Sequence, residues 1–405
     1  MKIIQLCNKV PYPEKDGGAI AINSFIKELL KAGHQLKMLA MNTSKHYVYE
    51  NSIPEDFKRN VQLETINIDN SINPVSAFVA LLKGESYNVS RFVSKEYALQ
   101  LQHILEKETY DIVQLEGLYL TSYIPIIRKH TNAPIIMRAH NVEHRIWERL
   151  AKEEKNPLKK IYLGILAGQL KKHEERAINL CDGITTITRT DMDLLTQMGC
   201  KLPIAHIPFG VNITTSSLTQ KVYMDSLFYI GALDWMPNLQ GLEWFLSKVW
   251  PLINPLASEV KLHIAGRNMP ESMKNSKYPN VVFHGEVENA SDFMNSYNIM
   301  IAPLLAGSGV RIKIIEGMAM QKPVITTSVG IEGIECDYGK DAMIADTAEE
   351  FCKTVVYCIK NPEFTKQLAV NGRNFVETNH NIEKITSSLI SFYKERISDK
   401  TLNGD

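Results

Sequence analysis

Short apolar runs recur along the whole chain, and between them lie segments whose apolar residues return every three to four positions. That alternation constrains the fold more than any other feature. Strands that return parallel through a helix build sheets covered on both faces. In the first half the runs are KIIQLC, QLKMLAM, DIVQLE, PIIMRA, GITTIT and IAHIP. AIAINSFIKELLKAGH, between the first two, reads as an amphipathic helix closed by Gly33, so the chain opens with a βαβ unit. The pattern restarts at SLFYIGAL and continues through EVKLHIAG, NVVFHG, NIMIAPL, KPVITTS and AMIAD.

A chain of 405 residues exceeds one typical hydrophobic core. The expected organisation is α/β, with two doubly wound, Rossmann-like domains facing each other across a cleft. Residues 1–208 form the first and 223–380 the second. The polar, aperiodic stretch 209–222 is the expected linker, and an amphipathic helix in 381–405 packs back onto the first domain. Ligands of open α/β sheets bind at the carboxyl ends of the strands, so the chemistry is sought there.

Lysine plus arginine (45) balance aspartate plus glutamate (45), which gives no reason to expect nucleic acid as a partner. The N-terminus begins a strand rather than a long apolar leader, and no run of about 18 apolar residues exists. The six cysteines lack CxxC or zinc-type spacing and read as reduced thiols of a cytoplasmic protein; neither metal nor cofactor is expected.

Four segments at strand ends carry candidate chemistry. EKDGGAIAINSF places Gly17 and Gly18 between the first strand and its helix, where free N–H groups attract anions; the spacing is neither GxGxxG nor GxxxxGK[ST]. RAHNVEHR sets His140, Asn141, Glu143 and His144 after a strand, without the HExxH spacing of a zinc site. YIGALDWMPN repeats the strand–glycine–helix arrangement at Gly231, with Pro237 suited to a helix start. In PLLAGSGVRIKIIEGMAMQKPVIT (303–326), a Gly-Ser-Gly turn precedes Arg311, Lys313 and Glu316 on a helix whose expected core face is Ile312, Ile315 and Ala319. Two readings stand for its charges: an ordinary surface ion pair between Lys313 and Glu316, or an anion site. A cation at a helix N-terminus opposes the dipole, and a bound diphosphate would reverse that sign. Farther along, the helical stretch after His144 reads as a solvated amphipathic helix. Peripheral membrane contact through Lys159, Lys160, Lys171 and Lys172 is its weaker alternative.

Together, DGGAIAINSFIKELLKAGH, RAHNVEH, IPFGVN, YIGALDWMPN and above all GSGVRIKIIEGMAMQKPVITTSVGIEGI resemble the retaining GT-B glycosyltransferases of the group 1 superfamily, over nearly the whole chain. The resemblance implies a nucleoside-diphosphate sugar, UDP- or GDP-linked, as donor. It implies a saccharide or lipid-linked acceptor, in cell-surface polysaccharide synthesis at the inner face of the membrane. It places Glu316 on the ribose and Arg311 and Lys313 on the diphosphate. Ser308, Gly309 and Val310 fall beside the phosphates and sugar, and the base lies near Gly285 and Val287. Gly17, Gly18 and Gly231 join the nucleotide-sugar side. His140, with Arg311 and Lys313, becomes a catalytic candidate, and Asn141, Glu143 and His144 lie toward the acceptor. The chain departs from the pattern twice. Ala306 and Ser308 stand where many members carry an acid, and ALDWMPN lacks the Arg and Lys usual after YIG. A nucleotide-sugar 2-epimerase and a catalytically lapsed nucleotide-sugar-binding subunit are the alternatives.

Overall fold

The computed structural model describes residues 1–14, 17–213, 223–307 and 309–402, and the chain divides into two compact units. The first comprises Met1–Pro208 together with the C-terminal helix Ile382–Leu402; the second comprises Phe209–Asn381.

All strand pairs in the first unit are parallel. The strands are β1 (Lys2–Cys7), β2 (Gln35–Thr43), β3 (Glu64–Ile68), β4 (Ile112–Glu116), β5 (Ile135–Ala139), β6 (Gly183–Thr186) and β7 (Ile204–His206), in the order β3-β2-β1-β4-β5-β6-β7. The order reverses between β1 and β4, so the loops after these strands diverge and leave room for a ligand. β1, β4 and β5 are almost wholly buried, as expected of strands covered on both faces. One face packs against the helix Gly17–Lys31 and the C-terminal helix, through Phe25, Ile26, Leu389 and Tyr393. The other carries Tyr97, Leu101 and Tyr123.

The second unit holds β8 (Tyr223–Ile230), β9 (Lys261–Ala265), β10 (Val281–Gly285), β11 (Tyr297–Ala302), β12 (Val324–Thr326) and β13 (Met343–Ile344). Their order is β10-β9-β8-β11-β12-β13, again parallel, with the reversal between β8 and β11. Trp250, Phe245 and Phe351 anchor one core layer. At Gly241, in the helix Met236–Trp244, a β-carbon would stand 1.9 Å from the Pro303 carbonyl oxygen. Only glycine lets this helix press against the loop leaving β11, and that contact fixes where the Gly-Ser-Gly turn starts.

Two expectations are corrected. β3 is a further strand at the sheet edge. The stretch expected as linker also begins as part of the second unit: Phe209 O accepts from His380 Nδ1 at 2.7 Å, and Val211 N donates to His380 O at 2.8 Å. The remainder of that stretch, 214–222, lies outside the described residues.

Candidate active site

The loop from β11 to the helix Ile312–Ala319 builds the nucleotide-side candidate of the second unit. Gly307 and Gly309 have φ of +117° and +84°, left-handed conformations that β-branched residues strongly disfavour. Ser308 lies outside the described residues. Arg311 is the N-cap residue, before the first turn, and its side chain is buried. Its Nη1 donates to Gly309 O at 2.6 Å, and the guanidinium lies 5.3 Å from the Trp235 ring centroid. Trp235 thereby belongs to this cluster, a role the sequence pattern left open. A β-carbon on Gly307 would reach 2.9 Å from Arg311 Nη2, so the turn, the guanidinium and the indole close on one another.

Lys313 and Glu316 project from the first turns, partly exposed, and form an ion pair at 2.7 Å. The buried residues of the helix are Ile314, Ile315, Gly317, Met318 and Ala319. Ile312, expected in the core, is only half-buried, because the inward face is centred on Ile315 and Met318. Val310 and Gly309 are likewise half-buried at the loop end.

Gly231 ends β8 on the same carboxyl edge, with its N–H donating to Ala265 O at 3.3 Å. Gly266 then donates to Gly285 O at 2.7 Å, which ties the ends of β8, β9 and β10 into one row. Gly285 itself has φ of +70°. Val287, two residues on, is half-buried beyond the edge strand, so the expected base-side residues stand at the far end of that row from Glu316.

In the first unit, the helix Gly17–Lys31 starts at the glycine pair, and its buried Asn23 donates Nδ2 to Pro11 O at 2.5 Å. That bond holds the loop leaving β1 against the helix. His140, one residue past β5, places Nε2 at 2.7 Å from Glu116 Oε2 at the end of β4. Glu116 Oε1 accepts from Gln5 Nε2 at 2.6 Å and also from Gln114 Nε2. Burial alone would raise this carboxyl. The His140 hydrogen bond, the Arg138 charge and Gln5 overcome it and hold Glu116 down at about 2. An ionised carboxylate only accepts, so His140 Nε2 carries the proton of this hydrogen bond.

Beneath this pair lies Arg138, aligned in register with Glu116 and Thr185. It is 1% exposed and packs 4.2 Å from the Phe25 ring centroid. None of its guanidinium nitrogens has a hydrogen-bond partner among the described residues. Burial pulls Arg138 below its ordinary value and the Glu116 charge opposes that pull.

Of the remaining candidates, Asn141 is half-buried at the strand end. His144 turns inward: it is 3% exposed, and its Nδ1 meets Glu174 Oε2 at 2.7 Å. Glu174, from the helix Pro157–Ala177, also accepts from the Glu143 N–H at 3.0 Å and the His144 N–H at 3.3 Å. It thus satisfies free N–H groups at the start of Glu143–Glu153, whose own N-cap, Val142, has no capping side chain. His144 therefore serves packing rather than the strand-end surface.

Glu143 Oε2 accepts from the Tyr119 hydroxyl at 2.8 Å. Burial is the main cause that pushes its carboxyl up to about 7; the Tyr119 bond opposes the rise and the charge of Glu174 adds to it. The folded chain then holds a proton here between the ordinary value of 4.5 and about 7, where the unfolded chain has released it. Stability is expected to fall as pH rises through that window. Urea melts from pH 4.5 to 8 should lose this component of the slope in Glu143→Gln; an unaltered slope would rule out the raised carboxyl.

Among the described residues, no three or more His, Cys, Asp or Glu gather as a metal site, and no helix is long and apolar enough to cross a membrane.

Two Rossmann-like units, each with its candidate residues at the strand ends flanking a reversal of strand order, define the GT-B fold. Residues 225–361 match the family described as "Glycosyl transferases group 1", and residues 15–215 match "Glycosyltransferase Family 4". Sucrose-phosphate synthase from Thermosynechococcus elongatus superposes with a TM-score of 0.67 at 15% identity, covering 98% of this chain and 100% of that one. Anabaena HepE in complex with UDP gives 0.65 at 11% identity, with 98% and 100% covered. S. aureus TarM in complex with fondaparinux, alpha-GlcNAc-glycerol and UDP gives 0.66 at 12%, with 97% and 99% covered. An uncharacterized 44.6 kDa protein in the cps region of Klebsiella pneumoniae is 25% identical over 402 residues, 96% of this chain and 98% of that protein. Between them the two family models span most of the chain from residue 15 to 361, and both describe glycosyltransferases: the chain is a sugar-transferring enzyme of that kind.

Proposed function

We propose that the enzyme is a retaining transferase that moves a sugar from a UDP- or GDP-sugar to a saccharide or lipid-linked acceptor, in cell-surface polysaccharide synthesis on the cytoplasmic side. The observation that carries the reading is the array on Ile312–Ala319: a left-handed glycine turn, Arg311 at the N-cap, and the Lys313–Glu316 pair at the strand-order reversal. Support for a uridine nucleotide comes from HepE and TarM, both solved with UDP. Support for the polysaccharide setting comes from the cps-region relative.

In this reading Glu316 gives up Lys313 to accept from the ribose hydroxyls, and Lys313 turns to the diphosphate. Free N–H groups at the helix start and Arg311 add to the same charge. The sugar C1–O bond to the β-phosphate breaks, with its electrons staying on the phosphate. The acceptor oxygen forms the new C1–O bond on the same face, and its proton passes to the departing phosphate oxygen. That charge development is what the cations and N–H dipoles stabilise, and no pair of carboxylates is required. His140, fixed by Glu116, is the catalytic candidate of the first unit. Neither Ala306 nor residue 308 supplies an acid, so donor-sugar contacts in the second unit fall to the loop backbone.

A thermal-shift panel of UDP, GDP, ADP and CMP with their sugars tests the donor: UDP or GDP should raise the melting temperature above the others by mass action. Donor consumption should require an acceptor, and the anomeric configuration should be kept. Interconversion of the nucleotide sugar without acceptor would identify an epimerase. Tight binding without consumption in the presence of varied acceptors would identify a lapsed subunit.

A further inference from the structure

The helix Pro74–Lys83 is turned inside out. Its buried residues are the small Ala77 and Ala80. At 100° per residue Val75, Phe78, Val79 and Leu82 share the opposite side, and they are 73%, 60%, 42% and 72% exposed. Ordinary amphipathic helices bury their large apolar residues, so this one withholds its apolar face from its own core.

A second stripe lies beside it. On Pro157–Ala177, Leu158, Ile161, Tyr162 and Ile165 follow the i, i+3, i+4, i+7 spacing of one helix face, and all four are exposed. Gln169 continues that face one turn later, and its Nε2 donates to Leu81 O of the first helix at 3.3 Å. Ala77, Ala80, Tyr87 and Leu166 pack together underneath. The two stripes therefore meet on the first unit as one apolar surface.

Its charge is one-sided. Lys83 is the only charged residue of Pro74–Lys83, and Lys159 and Lys160 are the only ones in 157–170. Lys159 also pairs with Glu154, just ahead of its helix, at 2.6 Å. The cores of protein–protein interfaces are depleted in lysine. Large aliphatic side chains flanked by three lysines, of which only Lys159 meets a carboxylate among the described residues, instead suit a boundary where apolar groups enter the acyl region and ammonium groups stay with acidic headgroups.

We infer that Pro74–Lys83 and the first half of Pro157–Ala177 dock the enzyme peripherally on a bilayer bearing anionic lipid. This docking does not depend on which nucleotide the second unit binds.

The test is co-sedimentation of the full chain with vesicles of phosphatidylcholine alone or mixed with about one third phosphatidylglycerol. The chain should bind the mixed vesicles, bind phosphatidylcholine more weakly, and lose the difference at high salt. Phe78→Glu with Ile161→Glu should lower binding by more than about tenfold, since both charges would enter the apolar layer. Thermal melting should be unchanged, because both positions are exposed. Lys159→Glu with Lys160→Glu should remove the preference for anionic lipid. Absence of wild-type binding, or equal binding by Phe78→Glu/Ile161→Glu, overturns the inference. So does a concentration-dependent dimer in sedimentation velocity that this variant abolishes while vesicles remain unbound, which would assign the surface to a second copy of the chain.

Discussion

Replacing Glu116 with alanine is expected to lower folding stability by roughly 3 kcal/mol, the usual scale for removing one member of a buried charged arrangement. The loss has three sources. Gln5 and Gln114 lose their shared acceptor, His140 loses the partner of Nε2, and Arg138 is left as a buried cation beside Phe25 without the Glu116 charge. Turnover should fall too, and the two effects can be separated. Glu116→Gln keeps the shape and removes the charge, so it should still strand Arg138. Adding Arg138→Met removes the stranded cation and should recover much of the stability, because replacing buried charge with packed apolar atoms is often neutral or better. If Glu116 also positions His140, kcat in the double variant should remain at least about tenfold down, with KM for the nucleotide sugar little changed. Recovery of both stability and kcat would restrict Glu116 to a structural role. On pH the sign runs the usual way for a depressed carboxyl. Its contribution is present above the ordinary value of 4.5 and is lost as pH falls toward about 2.

The importance of Glu116 was not legible in the sequence, and the reason is physical. DIVQLE reads as a buried parallel strand, and a glutamate ending it resembles many solvated strand ends. Its partner stands 24 residues later, just past β5, and only the β4–β5 pairing brings the two together. Glu174 was hidden for the same reason: its work at the start of Glu143–Glu153 crosses 30 residues and depends on two helices packing. Period-based reading also missed β3. ETINI alternates weakly and sits at the sheet edge, where only Ile68 is fully buried. By contrast, runs such as those of β1, β11 and β12 carried their signal locally, because a strand covered on both faces is apolar nearly throughout. The loop 303–312 lies between these cases. Its glycines and charges were visible, but the folding of Arg311 onto Gly309 and Trp235 required Trp235, more than 70 residues earlier, to arrive from the neighbouring strand.

Replacing Glu316 with alanine is expected to weaken nucleotide binding by about 10- to 100-fold while leaving folding almost untouched. The structural cost is small because the Lys313–Glu316 bridge is a partly exposed i,i+3 pair, worth only tenths of a kcal/mol. The binding cost is larger because hydrogen bonds from ribose hydroxyls to a carboxylate are charge-assisted, at about 1.5–3 kcal/mol each. The freed Lys313 offsets part of that by turning fully to the phosphates. Calorimetry with nucleoside mono- and diphosphates separates the roles. A ribose contact is common to UMP and UDP, so Glu316→Ala should weaken both by a similar factor. Lys313→Ala should weaken UDP more than UMP, because only the diphosphate presents the additional charge. Arg311→Ala should follow Lys313→Ala in that ratio, but with a fall in melting temperature, since its guanidinium also closes the glycine turn against Trp235. Unchanged UMP affinity in Glu316→Ala would remove the ribose from Glu316, and an equal loss of UMP and UDP in Lys313→Ala would remove the diphosphate from Lys313.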